Sequence, residues 1–435
     1  MDVLHVGLIG CGTVGSGVAR TLLDHGGRLA ARVGSAVRLV RLCDRHRDTI
    51  KRLRIPRGLW TRDPRQIVRD PTIQVVIELI GGIQPAKALI TEALRRRKHV
   101  VTANKALLAE HGQELFELAQ RHGVELLFEA AVAGGIPIIK TLREGLVANN
   151  VDTILGIVNG TSNYILTQMA QRQLAFRPAL AEAQQHGYAE RDPSLDVNGY
   201  DAAHKLAILT LLAFGRSVQL TDIHIEGIQH VEPMDIQYAA AFGYVIKPLA
   251  IAKRTHRSLE VRVHPTLLSH EHLLANVQGV YNAIYVHGDL IGGQLFYGRG
   301  AGQRPTASAV VADVAELAQR QATGAMQKPP LWMLHRHELR LRPMAEIASR
   351  YYLRFSVIDR PGVLAQIAGI LGRHHISISS VSQKERRQAR TVPVVILTHE
   401  ARERDVRRAL TAIDRLPVIR RHTVALRTEA PAEDH

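Results

Sequence analysis

Val3-Leu-His-Val-Gly-Leu-Ile9 runs directly into Gly10-Cys-Gly12-Thr-Val-Gly15, and a helical pattern follows from Val14 to Leu23. A β-rich run, glycines spaced G-x-G-x-x-G and a helix are the three parts of a phosphate-binding turn. The first glycine allows the tight turn, the second lets pyrophosphate approach the backbone, and the third lets the helix pack close to the strand. Phosphate then rests on the helix N-terminus, where backbone N–H groups lack partners. The spacing therefore predicts a dinucleotide site built by Gly10, Gly12, Thr13, Val14 and Gly15.

Working outward, a second strand, Val37 to Cys43, ends at Asp44, whose carboxylate is placed for ribose hydroxyls. Asp44 lies further along than the usual ~20 residues, as a Gly-rich insertion from Gly26 to Ser35 would explain. Arg45 and Arg47 follow and suit a 2′-phosphate, although a solvated charged loop accounts for them equally well, so NAD and NADP both stay open. Val75 to Ile80, a helix from Pro85 to Arg97, Val100 to Lys105, a helix to His122 and Glu125 to Glu129 continue the alternation. Strands separated by amphipathic helices predict an α/β, doubly wound parallel sheet of Rossmann type. Lys105 falls just past the carboxyl end of its strand, along the edge where such sheets bind ligands.

A chain of 435 residues has room for two to four domains. Its net charge of +16 would suit an anionic partner, yet the excess is spread from Arg20 to Arg427. The densest runs, Arg95 to Lys98 and Arg386-Arg387, stand at an expected helix end and hairpin loop, so no nucleic-acid partner is expected. Cys11 and Cys43 are the only cysteines, which suggests no disulfide framework and a reducing compartment. The N-terminus lacks a basic n-region, and no apolar run approaches the ~20 residues that span a bilayer. The expectation is a cytoplasmic protein without a membrane partner.

A second informative stretch runs from Ala183 to Lys205 and gathers Glu190, Asp192, Asp196, Asp201 and Lys205. Its end begins a helix that is apolar on nearly every side from Leu206, and the four-residue step sets Asp201 and Lys205 on one face. A lysine desolvated beside carboxylates exchanges protons near neutral pH; an ordinary helix pair is the plainer reading. Upstream, Asn159-Gly-Thr-Ser-Asn163 is at least an N-cap turn. Its amides and hydroxyls could also grip a carboxylate or a nicotinamide edge. Further β-rich runs between Ile223 and Val286 predict a mixed or antiparallel sheet able to supply a subunit interface, and Tyr297 to Gly302 leads into a helix ending near Ala318. After a linker, the segments from Tyr352 to Leu426 spell βαββαβ, a ferredoxin-like order, and the tail from Thr428 reads as unstructured.

The pattern A-x3-G-Y-A-x2-D-P-x2-D-V-x-G-x-D-x3-K over Ala183 to Lys205 resembles the signature of the homoserine dehydrogenase family, and V-T-A-N-K ending at Lys105 and N-G-T-S-N at Asn159 resemble two more of its segments. Together these cover residues 3 to about 320. The appended module, opening with Asp359-Arg-Pro-Gly362, resembles an ACT domain, with His375 where many members carry Asn. The resemblance implies reversible NAD(P)H-dependent reduction of L-aspartate 4-semialdehyde to L-homoserine, serving threonine, methionine and isoleucine synthesis, by a monofunctional enzyme. It implies catalytic roles for Lys205 and Lys105, with Lys105 also near the cofactor; substrate contacts from Glu190, Asp201, Asn159, Gly160 and Thr161; and Gly302 near the cofactor. Asp192 and Asp196 are left as turn formers. It also implies a monovalent cation, Na+ or K+, at Glu129, Val132 and Gly134, a homodimer or homotetramer, and an amino-acid effector, threonine, at the ACT-like module.

The expected domains are residues 1–135 completed by 303–325 for the dinucleotide, 136–302 for catalysis and dimerisation, a linker 326–348, the regulatory module 349–428 and a tail 429–435. Two rivals fare worse. Aspartate-semialdehyde dehydrogenase chemistry needs a cysteine nucleophile beyond the cofactor loop, and a non-enzymatic regulator leaves Glu190 to Lys205 unexplained.

Overall fold

The structure, a computed structural model, describes residues 3–46, 53, 55–325, 339–383 and 391–429. Arg47, the Arg386-Arg387 run, Lys328 to Pro330 and the end of the tail lie outside the described residues. The chain divides into two compact units. The first comprises Met1–Asn150, His204–Leu220 and Phe296–Glu338, the second Val151–Ala203, Thr221–Leu295 and Leu339–His435. The first unit thus runs from the N-terminus to residue 150, and its segment His204–Leu220 carries Lys205.

In the first unit, β1 (Val3–Ile9), β2 (Ala36–Cys43), β3 (Trp60–Thr61), β4 (Val75–Glu78), β5 (His99–Thr102) and β6 (Leu126–Leu127) form a sheet in the order β3-β2-β1-β4-β5-β6. Every pairing is parallel. β4 and β5 are buried at every position, as strands covered on both faces must be. The order reverses between β1 and β4, so a crevice opens at their carboxyl ends. Leu4, Val6 and Leu8 pack with Val18 and Leu22 of helix Thr13–Asp24 and with Val310, Val314 and Leu317 of helix Gln303–Ala322. Each such side chain withdrawn from water contributes roughly 1.5–3 kcal/mol before conformational entropy is counted.

Two local expectations change. The Gly26–Ser35 insertion is a helix, Gly26–Val33, because Leu29 and Val33 fall on one face against that core and Gly34 ends it at φ 77°. The strand expected over Glu125 to Glu129 shrinks to β6, because the Glu129 N–H turns away from the sheet to Asp313 Oδ2 at 2.9 Å.

The second unit contains β7 (Val151–Ile157), β8 (His224–Ile225), β9 (Tyr244–Thr255), β10 (Ser258–Ser269) and β11 (Tyr281–Gly288). β12 (Gly292–Arg299), β13 (Arg340–Leu341) and β14 (Ala348–Ser349) follow, then β15 (Tyr351–Ile358), β16 (Ile378–Ser382), β17 (Thr391–Thr398), β18 (Ala401–Arg402) and β19 (Ile419–Glu429). With helices Val363–Arg373 and Glu403–Ile413, the last part makes the expected βαββαβ module.

Its sheet is not separate. The strands run β11-β7-β9-β10-β19-β15-β17-β16, and β19 pairs with β10 in parallel through Thr266↔Arg427, Leu267↔Thr428 and Leu268↔Glu429. The unstructured tail expected from Thr428 is therefore corrected. Thr428 and Glu429 belong to β19, and the Glu429 carboxylate is buried between Lys253 and Arg262. A carboxylate in so dry a place persists only when paired, which fixes the strand end. A second buried cluster joins Asp235 to Tyr352 Oη at 2.9 Å and Arg354 Nε at 2.6 Å. Among the described residues no helix is long and apolar enough to cross a membrane.

Candidate functional site

The glycine turn of the first unit is shaped as its spacing requires. Gly10 adopts φ 96°, and its N–H donates to Cys43 O at 2.9 Å. A Cβ on Gly15 would lie 2.0 Å from Gly10 O, so helix Thr13–Asp24 approaches the turn more closely than any side chain permits. Gly12 and Thr13 are exposed at the start of that helix, and Val14 is half-buried behind them. The first-turn N–H groups thus face open space, the arrangement that holds a phosphate.

Asp44 also braces the glycine turn: its Oδ2 accepts from Cys11 N and its Oδ1 from His46 N, both at 2.7 Å. Arg45 beside it is exposed. Gly302 caps helix Gln303–Ala322 at φ 115° and is exposed. Cys11 and Cys43 are free and buried, and burial pushes both thiols up to about 11. Neither is a nucleophile near neutral pH.

Lys105 opens helix Lys105–His122, capped by Asn104, whose side chain accepts from Leu107 N at 3.2 Å. The residue that sets this corner is one the sequence reading passed over. Glu78, fully buried at the end of β4, accepts from Ile80 N at 2.8 Å and Gly81 N at 3.1 Å through Oε1, and from Thr102 Oγ1 at 2.7 Å through Oε2. Thr102 Oγ1 in turn accepts from Asn104 N at 3.1 Å, and Asn104 Nδ2 donates to Gly82 O at 2.6 Å. One carboxylate therefore locks the ends of β4 and β5 and the start of the Lys105 helix. The available signal was an acid inside the apolar run Val75-Val-Ile-Glu78-Leu-Ile80.

Lys205 lies in helix Tyr200–Phe214 and is buried, as are His204 and Asp201. Leu108 and Ala207 line one cleft of about 280 Å³ in the first unit, but neither Lys105 nor Lys205 is among its lining residues.

In the second unit, Asn159 caps helix Gly160–Arg172 through Ser162 N, and its Nδ2 donates both to Asp196 Oδ1 at 2.7 Å and to Asp201 Oδ2 at 2.8 Å. Asp196 is thus more than a turn former; it shares one amide with Asp201. Asp192 does form a turn, accepting from Ser194 N at 3.1 Å. Glu190 is exposed and outside this cluster. Thr161 Oγ1 donates to Tyr188 O at 2.6 Å, and Gly160 packs against the Val280 carbonyl, so both shape the turn.

Glu129 accepts from Ile139 N at 2.9 Å and Lys140 N at 2.8 Å, and burial pushes its carboxyl up. Beside it, Ala133 and Gly134 take φ of 52° and 50°. Among the described residues no group of three or more His, Cys, Asp or Glu side chains is arranged to hold a metal ion. A cation in this turn would depend on backbone carbonyls, such as those of Val132 and Gly134, more than on Glu129, whose two oxygens already accept hydrogen bonds.

Three family descriptions match the chain in series: the homoserine dehydrogenase NAD-binding domain over residues 10–129, homoserine dehydrogenase over 137–315 and the ACT domain over 351–417. The chain is 42% identical over 433 residues to a homoserine dehydrogenase of Neisseria gonorrhoeae, with 99% of each chain covered. To that of Pseudomonas aeruginosa it is 43% identical over 435 residues, again with 99% of each covered. A crystal structure of a homoserine dehydrogenase from Thiobacillus denitrificans superposes with a TM-score of 0.93 at 44% identity, covering 99% of both chains. A hyperthermophilic archaeal homoserine dehydrogenase in complex with NADPH superposes at 0.63 and 25% identity, covering 73% of this chain and 98% of that one.

Proposed function

Because the chain belongs to the homoserine dehydrogenase family, and is an oxidoreductase with a NAD-binding domain and a C-terminal ACT domain, we propose that Lys205 is its proton donor in the reversible reduction of L-aspartate 4-semialdehyde to L-homoserine. A bound nicotinamide dinucleotide supplies the hydride. As the aldehyde carbon becomes an alcohol carbon, negative charge grows on the oxygen, and a positioned cation must stabilise and then protonate it. Lys205 gives that proton, and in the reverse direction takes it from the homoserine hydroxyl. Lys105 supplies a second positive charge that polarises the carbonyl.

The Asn159 amide bridging Asp196 and Asp201, one helical turn before Lys205, carries this reading. It fixes two acceptors for the substrate ammonium, while exposed Glu190 completes that site only with substrate present. Asp196→Asn should raise KM for homoserine tenfold or more, and Asp192→Asn, which loosens only a turn, should change it less than twofold. Equal effects would contradict the assignment.

The cofactor is read as NADP in preference to NAD, since Asp44 is engaged with the glycine turn and Arg45 is exposed, and the archaeal relative holds NADPH. Arg45→Ala should raise KM for NADP several-fold and leave KM for NAD unchanged. Na+ or K+ is proposed at the carbonyls of Val132 and Gly134 with Glu129 bracing the turn, checked by activity against ion concentration in tetramethylammonium buffer. We read the ACT domain as a threonine sensor serving threonine, methionine and isoleucine synthesis, in a homodimer or homotetramer distinguishable by light scattering. His375, at φ 58° after helix Val363–Arg373, is the residue to vary. His375→Ala that keeps full threonine inhibition would contradict its part in sensing.

A further inference from the structure

The ACT domain reaches the loop Ser194 to Asp201 through side chains that the catalytic reading does not use. Arg427, near the end of β19, is 4% exposed along its side chain and donates to Glu226 Oε2 at 2.8 Å through Nη1 and to Oε1 at 2.9 Å through Nη2. Nε and Nη2 also donate to Glu403, at 2.8 Å and 2.6 Å. This is a fork with both faces filled, the geometry in which guanidinium sets the position of a carboxylate most firmly. Glu226 directly follows β8, and its N–H donates to Val263 O at 2.8 Å. His224 Nε2 lies 2.7 Å from Oε1 of the same carboxylate.

The next two residues touch the loop before Asp201. A Cβ on Gly227 would fall 2.5 Å from Val197 O and 2.9 Å from Asn198 Cα, so backbone lies directly on backbone with no slack. Ile228 N donates to Val197 O at 3.0 Å. Val197 follows Asp196, whose carbonyl accepts from Ser162 Oγ at 3.0 Å and whose carboxylate accepts from Asn159. The path from the last strand to the acid pair is therefore continuous: guanidinium fork, carboxylate, glycine contact, loop.

We propose that Arg427 and Glu226 are positioning residues for the substrate loop Ser194 to Asp201, so that the C-terminal domain holds the acceptors for the substrate ammonium in register from a distance. This rests on the reading of Asp196 and Asp201 as those acceptors. Burial raises the Glu226 carboxyl, but the bonds from His224 and Arg427 outweigh it and hold the group well below the usual carboxylate range. The pair also borders a cavity of about 850 Å³ lined by Glu226, Glu403, Arg407 and Arg427, so substitutions at Glu226 meet no tight packing on that side.

The test compares Glu226→Gln with Glu403→Gln and Asp196→Asn in the full-length enzyme. Arg427→Met is the more direct change, but it removes the buried guanidinium from Glu226 and Glu403 together, leaving Glu403 only Arg407 and the Tyr351 hydroxyl, and risks misfolding. Glu226→Gln should raise KM for homoserine about tenfold with kcat within twofold, and speed hydrogen exchange at the Ile228 amide. Glu403→Gln should lower Tm without moving KM, because it weakens Arg427 on the side away from the loop. A purely structural role would lower Tm in both variants and move KM in neither. If Asp196→Asn raises KM but Glu226→Gln changes neither KM nor exchange at Ile228, the proposal is overturned. If Asp196→Asn leaves KM unchanged, the substrate assignment has failed instead. Exchange at Ile228 then decides the positioning role alone: faster exchange sustains it and unchanged exchange overturns it.

Discussion

Glu78 illustrates how much one buried side chain can set. Its carboxylate meets two backbone N–H groups and the Thr102 hydroxyl, and an alanine there would leave all three donors without a partner, at about 1–3 kcal/mol each. Glu78→Ala should lower kcat by about 10- to 100-fold through displacement of Lys105, since small misplacements near the reacting atoms are costly. Unchanged kcat with lowered Tm would confine Glu78 to stability. His99 makes a different point. It is buried, its Nδ1 accepts from Glu125 N at 3.0 Å, and burial, aided by Arg320, lowers its pKa from 6.5 to about 4. The unfolded chain binds this proton below pH 6.5 while the folded chain refuses it until about pH 4, so stability falls as pH drops through that window and levels below it. The loss is roughly 3 kcal/mol over the window, and His99→Gln should remove that part of the slope in urea unfolding followed against pH.

At the scale of elements, the glycine turn was legible because its mechanism is local: strand, three glycines and helix are adjacent in the chain. Gly15→Ala places a methyl 2.0 Å from Gly10 O and should weaken cofactor binding at least tenfold, read by NADPH fluorescence titration; wild-type affinity would contradict the close approach. Helix Tyr200–Phe214, with its lysine and aspartate a turn apart, was legible for the same reason. Asp196 was not, because its partner Asn159 is 37 residues away, and spacing within the loop cannot distinguish a turn former from a member of a cluster. The bracing role of Asp44 was hidden for the same reason: a strand-end acid points to a ribose by position alone, and only the folded turn brings the Cys11 N–H to it.

At the scale of the molecule, the βαββαβ pattern of the C-terminal domain could be read from alternation, but its joining to the mixed sheet could not. Strand pairing between β10 and β19 links residues about 160 apart and leaves no periodic trace in either segment. The consequence is that the domain should not unfold by itself. A chain ending after Leu426 loses Arg427, Glu429 and the β10 pairing, and its Tm should fall by several degrees, with the C-terminal domain and mixed sheet melting together. Two separate transitions in the full chain would contradict the continuous sheet. Above these arrangements stands the claim that Lys205 moves the proton while the carboxylates anchored by Asn159 hold the substrate. Its most direct test is the rate of homoserine oxidation at saturating substrate and cofactor, followed at 340 nm, in the wild-type enzyme and in Lys205→Met with an intact melting profile. A fall in kcat of about 10²–10⁴-fold is predicted from loss of the proton-transfer group, and a kcat within a few-fold of wild type would contradict it.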